Sequence, residues 1–138
     1  MKLIDVHRLN RQRRATTDRT FPVRWFTPGG PGPTDILASC TVTGDEADSL
    51  VTLFDAGFKL IEDTTLCGHY PNYGLRYFED AALALETTVC LSCANWIADS
   101  NGVPERYRID FSVFRELSSR LQLLLPLPPD EQPRSNVA

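Results

Sequence analysis

The chain has 138 residues, 42% apolar and 23% charged, which fits one globular domain and excludes disorder, fibres and tandem domains. A net charge of -4 and a pI near 5.1 weigh against whole-molecule attraction to nucleic acid or anionic lipid. The charge is segregated, with residues 1–24 carrying net +5 and residues 25–138 net -9.

The opening Met-Lys-Leu-Ile-Asp-Val-His-Arg lacks the apolar run of at least about seven residues that a secretory signal needs. The longest greasy stretch, Leu121 to Leu127, is broken by Gln122 and Pro126 and falls short of the roughly 20 residues that span a bilayer. A cytoplasmic protein without a membrane segment is expected. Its four cysteines, Cys40, Cys67, Cys90 and Cys93, are then thiols, metal ligands or redox groups rather than lasting disulfides.

Residues 1–33 read as a basic arm and a Pro/Gly-rich linker. Arg8, Arg11, Arg13, Arg14 and Arg19 stand among Asn10, Gln12, Thr16 and Thr17, with too few apolar neighbours to anchor a core. Phe21 to Phe26 suits a short edge strand, and Thr27-Pro-Gly-Gly-Pro-Gly-Pro33 opposes regular structure by removing donors and loosening the backbone.

The body is expected over residues 34–125. Ile36, Ala38, Cys40 and Val42 alternate with Leu37, Ser39, Thr41 and Thr43, the period of a strand. Thr43-Gly-Asp-Glu46 has the spacing of a capping box, and Ala47, Leu50, Val51 and Phe54 form one helical stripe that Gly57 would end in the left-handed region. Phe58 to Asp63 reads as a strand. Tyr73 to Glu79 and Leu83 to Leu91 read as an antiparallel hairpin turning at Asp80-Ala-Ala82, with Tyr73 opposite Cys90. Asn95 to Ala98 and Tyr107 to Phe111 are short strands about the turn Asp99-Ser-Asn-Gly102. Asp110 or Ser112 caps a last helix with the stripe Val113, Phe114, Leu117, Leu121 and Leu124, and Pro126 stops it. The tail, residues 126–138, is Pro-rich and expected to be mobile. Together these elements predict an α+β fold: an antiparallel sheet of about four to six strands, one helix after the first body strand and a C-terminal helix.

The hairpin brings Cys67 and His69 to its open end, near Cys90 and Cys93. Three thiolates and one imidazole could converge there on zinc at about 2.0 to 2.3 Å. Cys90-Leu-Ser-Cys93 also has the spacing of a redox pair, although it follows a strand where a redox dithiol favours a helix start. The third reading takes the cysteines as small buried hydrophobes, and suits Cys40 best.

The order of strand, capped helix, Cys67-x-x-x-Pro-x-Tyr-Gly-Leu-Arg76 and Val89-Cys-Leu-Ser-Cys93 resembles a group of small uncharacterised bacterial proteins. Their usual pattern is Cys-x-x-Pro-Arg-His, Gly or Ala, Ile or Leu, followed by Ile-Cys-Phe-x-Cys. The likeness covers about residues 34–125. It departs by one extra residue before Pro71 and by Tyr73 where histidine is usual. It implies the fold and the grouping of three cysteines, and no mechanism.

His7 lies in the basic stretch and reads as solvated. His69 paired with Cys67 as a nucleophile lacks an orienting third group. The acid pairs Glu62/Asp63 and Glu79/Asp80, with Asp45, Glu46 and Asp48, are explained by turns and helix capping. Gly29-Gly-Pro-Gly32 lacks the Lys-Ser/Thr of a phosphate loop. The arginines Arg8, Arg11, Arg13 and Arg14 fit docking onto an acidic protein surface better than nucleic acid, for want of interleaved aromatics. Trp25, Tyr70 and Tyr73 suit anchors for an interface and suit core burial equally well. The expected function is a non-enzymatic binding, accessory or immunity-like protein. A zinc- or thiol-dependent protein using Cys67, His69, Cys90 and Cys93 is the alternative.

Overall fold

In the computed structural model, which describes residues 1–11, 14–24, 32–65, 67–100 and 102–132, the N-terminal segment is no arm. Lys2–Leu9 forms β1, hydrogen-bonded on both sides near the middle of the sheet. Ile4 and Val6 point to the core, and Leu9, beyond a register shift at Arg8/Leu9, is buried as well. Each buried side chain stabilises the fold by roughly 1.5–3 kcal/mol. Of the arginines that suggested a solvated arm only Arg8 lies in this strand, in phase with Ile4 and Val6, and its guanidinium donates to the Pro126 carbonyl; the others follow Leu9 in the sequence.

The remaining elements are β2 (Thr20–Val23), β3 (Gly32–Thr43), α1 (Gly44–Gly57), β4 (Ile61–Glu62), β5 (Tyr73–Glu79), β6 (Ala82–Cys90), β7 (Asn95–Ser100), β8 (Val103–Arg108) and α2 (Phe111–Leu124). A 3-10 turn follows at Pro129–Glu131. The fold is α+β, with two helices and one antiparallel sheet ordered β2-β3-β1-β5-β6-β7-β8-β4. Eight strands replace the expected four to six: β1 joins the body and the two-residue β4 caps the far edge.

Both helices cover one sheet face. Ala47, Leu50 and Phe54 of α1 and Phe114, Leu117 and Leu121 of α2 meet Ile4, Val6, Tyr73, Leu75, Val89 and Trp96. Asp110 caps α2 by accepting the Ser112 amide, while Thr43 precedes α1 without a side-chain cap bond. Gly57 stays within the helix instead of adopting the left-handed region. Its bare Cα lets α2 approach, since a Cβ there would lie 3.1 Å from Val113. Cys40 is a half-buried free thiol against the core, and burial pushes its pKa up.

Three further expectations need correction. Gly32 and Pro33 of the expected linker are paired to β2, so β3 starts two residues before Thr34, while residues 27–31 lie outside the described residues. Tyr73 faces Val89, not Cys90, because Asp80 and Ala81 adopt positive φ in a tight turn and a bulge follows at Tyr77/Phe78. Part of the tail is held: Leu127 is buried, and the Tyr73 hydroxyl donates to the Leu125 carbonyl at 2.6 Å.

Candidate functional site

Residues 14–19 are stitched to β3 by one carboxylate. Asp35, almost fully buried, accepts from the Thr17 and Thr16 hydroxyls, both at 2.8 Å, and from both backbone amides at 3.0 Å. The Thr17 hydroxyl foremost, then the Thr16 amide, hold its pKa down to about 2.

Two of the four arginines expected to face a partner, Arg8 and Arg11, turn back onto the chain. Arg8 Nη1 donates to the Pro126 carbonyl at 2.9 Å. Arg11 Nη2 donates to Ser92 Oγ at 2.8 Å and lies 4.0 Å from Cys90 Sγ. Arg14 is exposed, and Arg13 and Trp25 lie outside the described residues. Tyr73 is wholly buried and Tyr70 partly so.

The cysteine region is organised by a buried polar chain. Asp63, its carboxylate 1% exposed, pairs with Arg106 Nε at 3.0 Å and accepts from Asn95 Nδ2 at 3.2 Å. Asn95 Nδ2 also donates to the Gly68 carbonyl at 3.0 Å, which leaves Asn95 Oδ1 as the acceptor for His69 Nδ1–H at 2.8 Å. His69 Nε2 then accepts from Thr88 Oγ1 at 2.8 Å, so the ring is neutral with both nitrogens engaged. Burial foremost lowers its pKa to about 4. Arg106 further donates to the carbonyls of Cys67 and Thr65, holding the loop before β5 over the β6–β7 turn.

That loop brings Cys67 to Cys93, with Cα atoms 5.8 Å apart, and the two form a disulfide. Thiols, metal ligands or redox groups were expected at all four cysteines, and the direct bond between Cys67 and Cys93, 26 positions apart, was not. Cys90 remains a buried free thiol, 3.4 Å from Ser92 Oγ. The expected zinc set does not assemble, since Cys67 and Cys93 bind each other and His69 spends both nitrogens on Asn95 and Thr88. Among the described residues no group of three or more His, Cys, Asp or Glu is placed to hold a metal ion.

A second feature lies further along the same two strands. β6 and β7 pair only at Val89/Trp96 and Cys90/Asn95, while β6 stays paired to β5 and β7 to β8 along their lengths. Where the next rung would be, Thr87 Oγ1 donates to the Ile97 carbonyl at 2.6 Å. The sheet therefore forks, and a cleft of about 450 Å³ opens there, lined by Phe21, Leu83, Leu85, Thr88, Ile97 and Asp99 among others. Arg24 pairs with Asp99 at its border. Phe21 is seated over Gly74, where a Cβ would lie 2.8 Å from the ring, and Arg76 stacks on it at 4.4 Å while bonding Glu86 at 2.7 Å. Sequence reasoning missed this cleft, since nothing local in β6 or β7 signals that two adjacent strands part. No helix among the described residues is long and apolar enough to cross a membrane.

Compared with family models, curated proteins and solved structures, the chain matches none.

Proposed function

We propose that this chain is a protein-binding module without turnover chemistry, which takes an extended segment of a partner polypeptide into the fork between β6 and β7. The observation that carries this reading is a sheet paired along both flanks but open in the middle, so that two strand edges face each other without a ladder. Such edges recruit main chain, and alternate pockets select side chains. Leu83, Leu85, Ile97 and Phe21 favour apolar side chains, with Arg24 and Asp99 at the border for polar contacts. The basic segment is a weaker candidate than expected because Arg8 and Arg11 are spent on Pro126 and Ser92. His69, buried and doubly hydrogen-bonded, is ill placed to serve as a base.

The test is selection from a displayed library of seven-residue peptides, followed by amide mapping of the winners on the labelled chain. Binding tighter than about 1 mM should shift and protect amides of residues 82–88 and 97–100, and Ile97→Lys should abolish it. Winners that map elsewhere, or bind Ile97→Lys equally well, overturn the reading.

A further inference from the structure

We propose that Cys67, Cys90 and Cys93 form an exchangeable thiol–disulfide site, with Cys90 as an internal nucleophile that moves the cross-link from Cys67–Cys93 to Cys90–Cys93. This goes beyond peptide binding and does not depend on it.

Three observations converge. The disulfide joins the loop before β5 to the β6–β7 turn, and both of its cysteines are partly exposed. Cys90 is a free thiol three residues from Cys93, the spacing at which dithiols close within one turn. Its rung partner is Asn95, whose side chain binds the carbonyl of Gly68 next to Cys67, so one rung and one hydrogen bond connect the strand end that carries Cys90 to the loop that carries Cys67. Cys90 is fully buried. The Arg11 guanidinium, 4.0 Å from Cys90 Sγ, places a cation beside the atom that carries negative charge during attack.

The exchange balances without an outside reagent. Cys90 loses its proton and its Sγ attacks Cys93 Sγ; the Cys93–Cys67 bond breaks and its electron pair leaves on Cys67 Sγ, which takes up a proton from water. One disulfide and one thiol exist before and after. The loop before β5 loses its covalent tether while Arg106 and Asn95 still hold its carbonyls.

The test reads linkage by mass. Trypsin cuts after Lys59, Arg76 and Arg106, so Cys67 lies on residues 60–76 and both Cys90 and Cys93 on residues 77–106. The full-length oxidised chain is held at pH 8, quenched in acid with an alkylating maleimide, and digested without reductant. Exchange predicts residues 60–76 carrying one maleimide in about a tenth or more of molecules, with residues 77–106 closed on themselves. Cys67→Ser treated with oxidised glutathione should likewise lose two hydrogens from residues 77–106. Cys67 found only cross-linked in the natural chain, together with Cys90 and Cys93 ending as thiols or separate glutathione adducts in Cys67→Ser, overturns the proposal. Loss of peptide binding at the fork would leave this result untouched.

Discussion

Acidification should destabilise this protein well before its carboxylates titrate, through His69. The imidazole is inaccessible to solvent, donates from Nδ1 to Asn95 and accepts at Nε2 from Thr88. Burial, the largest influence, and the nearby Arg106 and Arg11 hold its pKa at about 4, against an ordinary value of 6.5. A lowered histidine pKa means that the unfolded chain binds a proton between pH 6.5 and 4 that the folded chain refuses. Stability is therefore full above pH 6.5 and falls as pH drops through that window. At about 1.4 kcal/mol per pH unit the whole loss is roughly 3 kcal/mol, of which about 2.5 kcal/mol falls between pH 7.5 and 4.5. His7 shifts the same way, mainly through its partial burial, so it must be separated. Asp35 and Asp63, both lowered, lose their stabilising charge only as pH falls below their ordinary value of 3.8. Urea unfolding of the natural chain, His7→Asn and His69→Gln at both pH values is the assay. His69→Gln should shrink the pH-dependent loss by about 2 kcal/mol whatever its absolute stability. The chain has two histidines, so their imidazole proton resonances can also be followed directly by NMR. A His69 resonance with a midpoint near 6.5, or equal acid sensitivity in His69→Gln, refutes the reasoning.

Three other outcomes follow from the packing. Cys67→Ser removes a cross-link spanning 26 positions and should cost about 3 kcal/mol, lowering Tm by roughly 10 °C in a calorimeter, and an unchanged melt would mean the pair is not joined in solution. Gly74→Ala drives a methyl to within 2.8 Å of the Phe21 ring and should cost about 1–3 kcal/mol in denaturant, much of it recovered when Phe21→Ala is added; additive losses would contradict this contact. Tyr73→Phe leaves the Leu125 carbonyl without its donor and should cost about 1 kcal/mol, with faster exchange of the Leu125 amide, which donates to Leu121; protection equal to the natural chain would show that the hydroxyl does not hold this end of α2.

Periodic signals made the helices legible, and long-range pairing hid the rest. The α1 and α2 stripes and the Asp110 cap are local patterns, so Leu50, Phe54, Leu117 and Leu121 lie where their spacing put them. β1 carries its own signal, Ile4 and Val6 two apart, but the arginines around it suggested solvent. Only Arg8 of these belongs to the strand, where the Pro126 carbonyl takes up its guanidinium, a long-range partner that local composition does not reveal. The hairpin register slipped by one residue because a turn with two positive-φ residues, followed by a bulge, looks from sequence like a wider turn. Proximity of Cys67 to the turn between β6 and β7 was anticipated, whereas its bonding to Cys93 was not. That bond depends on Asp63, Asn95 and Arg106 converging on a loop from three separate segments. The same convergence removes His69 from any ligand set. The imidazole satisfies buried Asn95 and Thr88, and diverting either nitrogen to a metal would leave one of them unpaired in the interior, at a cost of about 1–3 kcal/mol. His69 thus serves the fold, beside a Cys67–Cys93 pair that it does not touch through either nitrogen.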